Sequence, residues 1–110
     1  MSLNGIWKVE MLGPYGWEST STAFLKDGKV RGASRNHYTI GNYEVSGSRV
    51  EITADGVQYG KARAVFGKKK EKMNLKFVGE IDGDRIKGHT RDDEGSHQIA
   101  FRITRLADLP

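Results

Sequence analysis

The chain has 110 residues, of which 36% are hydrophobic and 29% are charged. This length suffices for one domain with a single core, and the composition is typical of a small soluble domain, not of a disordered or membrane-spanning chain. No apolar run could span a bilayer, no segment reads as a signal peptide, and the lack of cysteine excludes disulfides and thiolate metal sites. We expect one cytoplasmic domain over residues 1–110 with no membrane contact, and treat residues 1–3 as an expression remnant or a disordered end.

The net charge of +4 is unevenly distributed along the chain. Residues 61–91 carry ten Lys or Arg against four Asp or Glu, a balance of +6. The remaining residues carry eight against ten, a balance of −2. Such a concentration of positive charge is compatible with an acidic partner, although it does not indicate a fold.

Short segments of alternating apolar and polar residues follow one another along the whole chain. Alternation with a period of two is the signature of antiparallel strands that bury one face. In chain order, we predict strands near residues 4–12, 17–26, 29–34, 37–45, 49–55, 60–66, 71–81 and 84–91, with a further strand near 97–106. The residues predicted to face inward include Gly5, Trp7, Val9, Met11, Ser19, Ser21, Ala23, Gly41, Tyr43, Val45, Val50, Ile52, Ala54, Met73, Leu75, Phe77, Gly79, Ile81, Ile86, Gly88, Thr90, Ile99, Phe101 and Ile103.

Turn-forming dipeptides lie between these segments. Asp-Gly and related pairs supply the positive φ values that tight hairpin turns require. Consecutive hairpins predict a meander, and closing a meander buries its apolar face and removes its exposed edges. We therefore predict an all-β fold, a single antiparallel up-and-down β-barrel of about eight strands. The predicted turns are at Gly13-Pro14, Asp27-Gly28, Ser46-Gly47, Asp55-Gly56, Asp82-Gly83 and Glu94-Gly95.

Many of the inward positions carry small residues, and two interpretations of this feature stay open. Small residues allow a strand to coil tightly at a barrel corner, and they can equally leave an internal cavity. A cavity with apolar walls and a few polar groups would suit a small hydrophobic ligand. The candidate ligand-binding residues of the barrel interior are Trp7, Tyr43, Leu75, Phe77 and Phe101.

A basic run, KKKEK at residues 68–72, lies at the start of the strand predicted near 71–81. One interpretation is a charged hairpin end that stays hydrated and discourages edge pairing. The other is a contact surface for a regulator or another acidic protein. Sequence-specific nucleic acid binding is not expected, because the run lacks interleaved aromatic residues and a helix that could enter a groove. The candidate partner-binding residues are Lys68, Lys69, Lys70 and Lys72.

The histidines and carboxylates do not form a recognisable reactive centre. His89 is predicted to face solvent and His97 the interior, while His37 begins another strand, so no joint metal site is expected. The chain has no nucleophile elbow and no phosphate-binding glycine loop. We therefore expect no enzyme, no cofactor, and no catalytic or metal-binding residues.

Five segments carry a resemblance to a known family. In their order and spacing, from Asn4 to about Leu106, they resemble the GrlR-type family of small bacterial β-barrels with calycin-like, lipocalin-like architecture. The most characteristic part is YTIGNYEV at residues 38–45, followed by a glycine turn. The segments are NGIWKVEM, LKDGKVRGAS, HYTIGNYEVSGSRVEI, AVFG and GEIDGDRIKGH.

The resemblance implies a bacterial, non-enzymatic negative regulator that acts by binding a protein such as a transcriptional activator. The chain departs from the family pattern in two places. The acidic run that the namesake carries near the turn at residues 46–49 is missing, and Ala64 replaces a usual serine. An alternative function is a lipocalin-like carrier of a small hydrophobic ligand. A homodimer formed through exposed aromatic residues such as Tyr15, Trp17 and Tyr59 is compatible with either function.

Overall fold

The structure, a computed structural model, describes residues 2–34, 37–58, 72–91 and 99–109. All regular secondary structure in these residues is β, which confirms the predicted all-β class. Because they contain no helix, they include none that could cross a membrane. The strands are β1 (Gly5–Gly13), β2 (Gly16–Lys26), β3 (Lys29–Ala33), β4 (His37–Ser46), β5 (Arg49–Gln58), β6 (Lys72–Asp82), β7 (Arg85–Arg91) and β8 (Ile99–Ala107).

The eight strands form a closed antiparallel barrel in which each strand pairs with its neighbours in the chain. Closure comes from the pairing of β8 with β1, in a register that places Val9 opposite Ile103 and Met11 opposite Phe101. The closed sheet has no unpaired edge strand, so no strand is left to pair with a strand of another molecule. The predicted up-and-down barrel is therefore confirmed. The strand predicted near 60–66 lies outside the described residues.

Hairpin turns form at four of the predicted dipeptides, the first of which is Gly13-Pro14 between β1 and β2. Asp27 and Gly28, between β2 and β3, have φ values of 50° and 83°, the two positive angles of a type I′ turn. The turns after Ser46 and Asp82 each begin with a glycine at positive φ, which is typical of type II′. The turn predicted at Glu94-Gly95 lies outside the described residues.

The turn predicted at Asp55-Gly56 is wrong. Both residues lie inside β5, where Asp55 pairs with Ile40 of β4 and with Asn74 of β6. The Asn74 side-chain amide donates a hydrogen bond of 2.9 Å to the Asp55 carboxylate. Pairing on both sides therefore overrides the local turn preference of the dipeptide.

The predicted inward face forms the core along most of the barrel. Phe77 and Phe101 meet edge to face, with ring centroids 5.3 Å apart and planes at 79°. Val45 is 46% exposed because it lies near the end of β4, next to the turn. The side chain of Met73 lies outside the described part of the chain. The buried hydrophobic residues are Leu3, Trp7, Val9, Met11, Ala23, Leu25, Val30, Val50, Ile52, Ala54, Leu75, Phe77, Ile86, Phe101 and Ile103.

A β-bulge in β2 shifts the predicted alternation. Val9 pairs with Ser21 and Glu10 pairs with Ser19, which leaves Thr20 as the extra residue. The Thr20 hydroxyl donates to the Val9 carbonyl at 3.3 Å. Ser21 therefore keeps its predicted inward direction, whereas Ser19 is exposed and its inward prediction is wrong.

One end of the barrel is closed by the segment that precedes β1. Leu3 is only 3% exposed, and its carbonyl accepts a 2.9 Å hydrogen bond from the indole N–H of Trp7. The Arg105 guanidinium lies 4.5 Å from the Trp7 ring and donates a 2.6 Å hydrogen bond to the Asn4 carbonyl. It also pairs with Asp84 at 2.9 Å. These contacts fill the barrel at this end.

Candidate functional site

The barrel interior contains a cavity of about 60 Å³. It extends from Leu25 and Val30, which flank the β2–β3 turn, to His37 and Val57, which lie at the end opposite the Leu3 plug. Trp7, which fills the plugged end, does not line it. The position of the cavity follows from the sequence, because β2 to β5 carry small inward residues near this end, among them Ser21 and Gly56.

Of the five side chains predicted to bind a ligand, the cavity is lined by Leu75 and Phe77. Trp7 and Phe101 are buried, but their bulk fills space in the core and leaves no room for a ligand. Tyr43 is partly buried against the core, and its hydroxyl donates to the Asn4 side-chain oxygen at 3.4 Å, near the closed end. Two of the five predicted residues therefore line the cavity, and the other three pack against neighbouring side chains.

One wall of the cavity is apolar. It is formed by inward residues of β5 and β6, with Ile52 and Ala54 beside Leu75 and Phe77. The register places Ile52 opposite Phe77 and Ala54 opposite Leu75, so a large side chain and a smaller one face each other in each pair. Such a surface offers dispersion contacts and no hydrogen bonds to a bound molecule.

The opposite wall carries hydroxyl groups. Ser21 of β2 and Thr39 of β4 both line the cavity, and Gly32 of β3 lies between them and pairs with Thr39. A Cβ atom added to Gly32 would lie 2.5 Å from the Thr39 Oγ1 atom, so the glycine leaves the space that this hydroxyl needs. The hydroxyls of the lining thus lie on β2 and β4, beside the apolar side chains of Ala23, Leu25 and Val30, whereas the β5–β6 side is apolar.

His37 lines the cavity from the first residue of β4. Its Nδ1 atom is 2.7 Å from the Ser34 hydroxyl oxygen, and the Ser34 N–H donates to the His37 carbonyl at 2.9 Å. Burial lowers the pKa of His37 below its ordinary value of 6.5. The imidazole is therefore uncharged at neutral pH and contributes a polar, neutral group.

Sequence reasoning missed His37 and Thr39 as cavity residues, although the signal was present. In HYTIGNY the two residues have the same parity as Gly41 and Tyr43, which were predicted to face inward. The predicted ligand-binding residues share aromatic or aliphatic bulk, and Thr39 and His37 do not have it. A cavity lies where bulk is lacking, so small and polar inward residues are the better indicators.

The described residues hold no metal centre, since no three of their His, Asp or Glu side chains are close enough to bind an ion. His89 is exposed, as predicted from its parity, and His97 lies outside the described residues. His37 is held by Ser34 in the segment that enters β4.

The predicted basic surface is largely outside the described part of the chain. Lys68, Lys69 and Lys70 lie there, and of Lys72 only the backbone is described, where it begins β6 opposite Val57. A second basic surface is described on the outer face of β1, β8 and β7. We call it the basic cluster, and it consists of Lys8, Arg85, Lys87 and Arg102.

The basic cluster surrounds a single carboxylate, Glu10. Arg102 donates to its two oxygens at 3.0 Å and 3.2 Å, and Lys8 lies 3.7 Å away. The hydrogen bond from Arg102 holds the pKa of Glu10 below its ordinary value, and the positive charges add to the effect. Arg85 and Lys87 form no ion pair among the described residues, so the cluster keeps an excess of positive charge.

No family model matches the chain, and no curated protein matches it. The resemblance to the GrlR-type family therefore rests on the sequence motifs, and the geometry of this barrel defines the candidate site.

Proposed function

We propose that the protein is a non-enzymatic binding protein that holds a small hydrophobic ligand in its barrel. The observation that carries the proposal is the cavity in the barrel interior, which has an apolar wall of Ile52, Ala54, Leu75 and Phe77. Burial of apolar ligand surface against such a wall contributes roughly 25 cal/mol per Å².

Native mass spectrometry of freshly purified protein tests this function. We expect an added mass on the wild-type protein that is removed by extraction with organic solvent. Ala54→Phe places a ring in the cavity and should abolish the added mass. Thr53→Phe is the matched control, because Thr53 is the neighbouring residue on the outer face of β5 and is exposed. Equal loading of the two variants would contradict binding in the cavity.

A second candidate function is contact with an acidic protein, as the resemblance to GrlR-type regulators implies. The observation that favours it is the basic cluster, in which Arg85 and Lys87 have no carboxylate partner among the described residues. Complementary charge raises association rates and selects partners. Lys68, Lys69, Lys70 and Lys72, which the sequence predicts as a contact surface, carry further positive charge.

Affinity capture from the source organism tests the second candidate. An acidic partner held by the wild-type protein should be lost from the double variant Arg85→Glu, Lys87→Glu. The control is Lys26→Glu, Lys29→Glu, which makes the same charge change on the exposed ends of β2 and β3. A further variant replaces Lys68, Lys69 and Lys70 with Glu and so reverses their charge. If every variant retains the same partners, neither basic surface is the contact.

A further inference from the structure

A groove lies on the outside of the barrel, between the β2–β3 hairpin and the C-terminal segment. Strand β1 separates β2 from β8, and its Ile6 pairs with Phe24 on one side and with Ala107 on the other. Leu109, two residues beyond Ala107, forms the side of the groove across from the hairpin. The groove has a volume of about 570 Å³ and is lined by Phe24, Lys26, Asp27, Lys29, Arg31 and Leu109.

Part of the groove surface is apolar. Phe24 and Leu109 both line it, and Phe24 is 45% exposed on the outer face of β2. Arg31 of β3 stands between Phe24 and Ile40, a second large hydrophobic residue that is exposed on the same face. Several exposed hydrophobic residues close together indicate a contact site, whereas a single one does not.

Three cationic side chains border this apolar surface. Lys26 and Lys29 are directly opposite each other at the end of the β2–β3 hairpin, and Arg31 lies two residues further along β3 on the same face. Like charges at opposite positions destabilise a sheet, and an anion between them would relieve their repulsion. The acidic residue of the groove, Asp27, accepts a 3.1 Å hydrogen bond from the Asn4 side-chain amide. The groove therefore combines an apolar surface with an excess of positive charge.

We propose that this groove binds a single amphipathic anion, such as a medium-chain fatty acid. The hydrocarbon chain lies against Phe24 and Leu109, and the carboxylate is held by Lys29 and Arg31. An arginine can donate two parallel hydrogen bonds to a carboxylate, and a lysine adds a second positive charge. The groove is outside the barrel, so this inference depends neither on the interior cavity nor on the basic cluster.

The size and shape of the groove favour one bound molecule over a lipid surface. Its volume of about 570 Å³ falls within the roughly 300–1,000 Å³ that is typical of small-molecule sites. A groove can enclose a single hydrocarbon chain on two sides, here between Phe24 and Leu109. A planar bilayer would contact only the rim and would leave this apolar surface uncovered.

Two-dimensional amide NMR of the full chain at pH 7.5 tests the proposal. The probes are decanoate and decyltrimethylammonium, which have equal chain lengths and opposite charges, and both are used below their critical micelle concentrations. We expect decanoate to cause saturable chemical-shift changes at Phe24, Lys29, Arg31 and Leu109. Decyltrimethylammonium should bind at least about tenfold more weakly, because its charge is the same as that of the groove. Equal affinity for the two probes would overturn the proposal.

The double variant Lys29→Gln, Arg31→Gln tests the charged part of the groove. Its affinity for decanoate should fall about 2- to 30-fold, the range for the loss of two exposed ion pairs. Arg85→Gln, Lys87→Gln is the matched control, because it also removes one arginine and one lysine that lie two residues apart on a strand. Equal weakening by the two double variants would indicate a general effect of net charge and would overturn the site.

Phe24→Gln tests the apolar part of the groove. It should weaken decanoate binding, because the hydrocarbon chain loses its contact with the ring. Val45→Gln is the control, since Val45 is 46% exposed, nearly the same as Phe24, and lies next to the turn after β4. If Phe24→Gln does not fold, the Lys29 and Arg31 variant provides the test alone.

The remaining outcomes separate the groove from the barrel interior and from a membrane. Binding that is lost in the groove variants and kept in Ala54→Phe would support the site. Binding that is lost in Ala54→Phe and kept in the groove variants would place decanoate in the interior and overturn the groove. Binding to phosphatidylglycerol vesicles without binding of monomeric decanoate would assign the surface to a membrane and overturn the single-molecule site.

Discussion

Thr90 is a buried threonine whose hydroxyl has no hydrogen-bond partner in the described structure. It lies in β7 between Phe77 of β6 and Ile99 of β8, and it is 1% exposed. A buried hydroxyl loses its hydration without compensation, and this costs about 1–3 kcal/mol. The hydrocarbon neighbours would accept a methyl group in its place.

We therefore expect Thr90→Val to raise the free energy of unfolding by about 1 kcal/mol. Urea unfolding of the two proteins measures the difference. Thr53→Val provides the control, because Thr53 is exposed on the outer face of β5 and its replacement should change stability little. A destabilised Thr90→Val protein would show that the hydroxyl is satisfied in solution.

His37 determines a second residue-level property, the dependence of stability on pH. Burial lowers the pKa of this residue in the folded protein below 6.5, so the unfolded chain binds the proton more readily. Its contribution to stability is fully present above about pH 6.5 and is lost as pH falls through the lower pKa of the folded state.

Unfolding measured between pH 7.5 and pH 5.5 should therefore show a decrease in stability with decreasing pH. His37→Gln should reduce that decrease, whereas His89→Gln, at an exposed position of β7, should leave it unchanged. Glu10 contributes only at lower pH, because its ordinary pKa is 4.5 and is lowered further in the fold. An unaltered profile in His37→Gln would contradict the assignment of this pH dependence to His37.

At the scale of strands, β6 and β7 approach closely where two glycines pair. Gly88 lies opposite Gly79, and a Cβ atom at Gly88 would overlap the carbonyl oxygen of Val78. A side chain there must push the two strands apart, because the overlapping atom belongs to the backbone. Overpacking of this kind costs about 1–3 kcal/mol.

Gly88→Ala should therefore lower the free energy of unfolding by about 1–3 kcal/mol. Gly13→Ala is a suitable control, because the added Cβ would meet only the flexible Glu18 carboxylate, at 3.2 Å or more. Denaturant unfolding of both variants compares the two sites. Equal stabilities would indicate that β6 and β7 can separate at little cost.

Strand periodicity predicted the barrel well, because a closed antiparallel sheet imposes the same inward and outward alternation on every strand. Two local features could not be read from the pattern. The bulge at Thr20 requires knowledge of how β1 and β2 pair, since the sequence continues through it without a glycine or proline. Asp55-Gly56 looks like a turn, but pairing with β4 and β6 keeps it extended.

The cavity was harder to predict than the barrel. Large inward residues such as Trp7 and Phe101 fill space, and the cavity lies beside Ser21 and Ala54. Parity identifies which residues face inward, but only the summed volumes from several strands determine where space remains. That sum depends on the register of β2 to β6, which a single sequence does not specify.

At the scale of the whole molecule, one end of the barrel is closed by packed side chains. At one end Leu3, Trp7 and Arg105 form a packed plug, in which the Trp7 indole N–H and the Arg105 guanidinium are hydrogen-bonded to the segment before β1. The cavity between the strands is lined in part by small and polar residues of β2, β4 and β5. The basic cluster lies outside the barrel on β1, β8 and β7, so ligand binding and protein contact would use separate surfaces.

The most direct test of a ligand-binding interior is a xenon titration of the wild-type protein and of Ala54→Phe, followed by two-dimensional amide NMR, because a xenon atom is small enough for a cavity of about 60 Å³. We expect saturable amide chemical-shift changes in the wild-type protein for residues that line the cavity, including Ser21, Thr39 and Leu75. We also expect their loss in Ala54→Phe and their retention in Thr53→Phe. Absence of saturable shifts in the wild type, or the same shifts in Ala54→Phe, would contradict a ligand-binding interior.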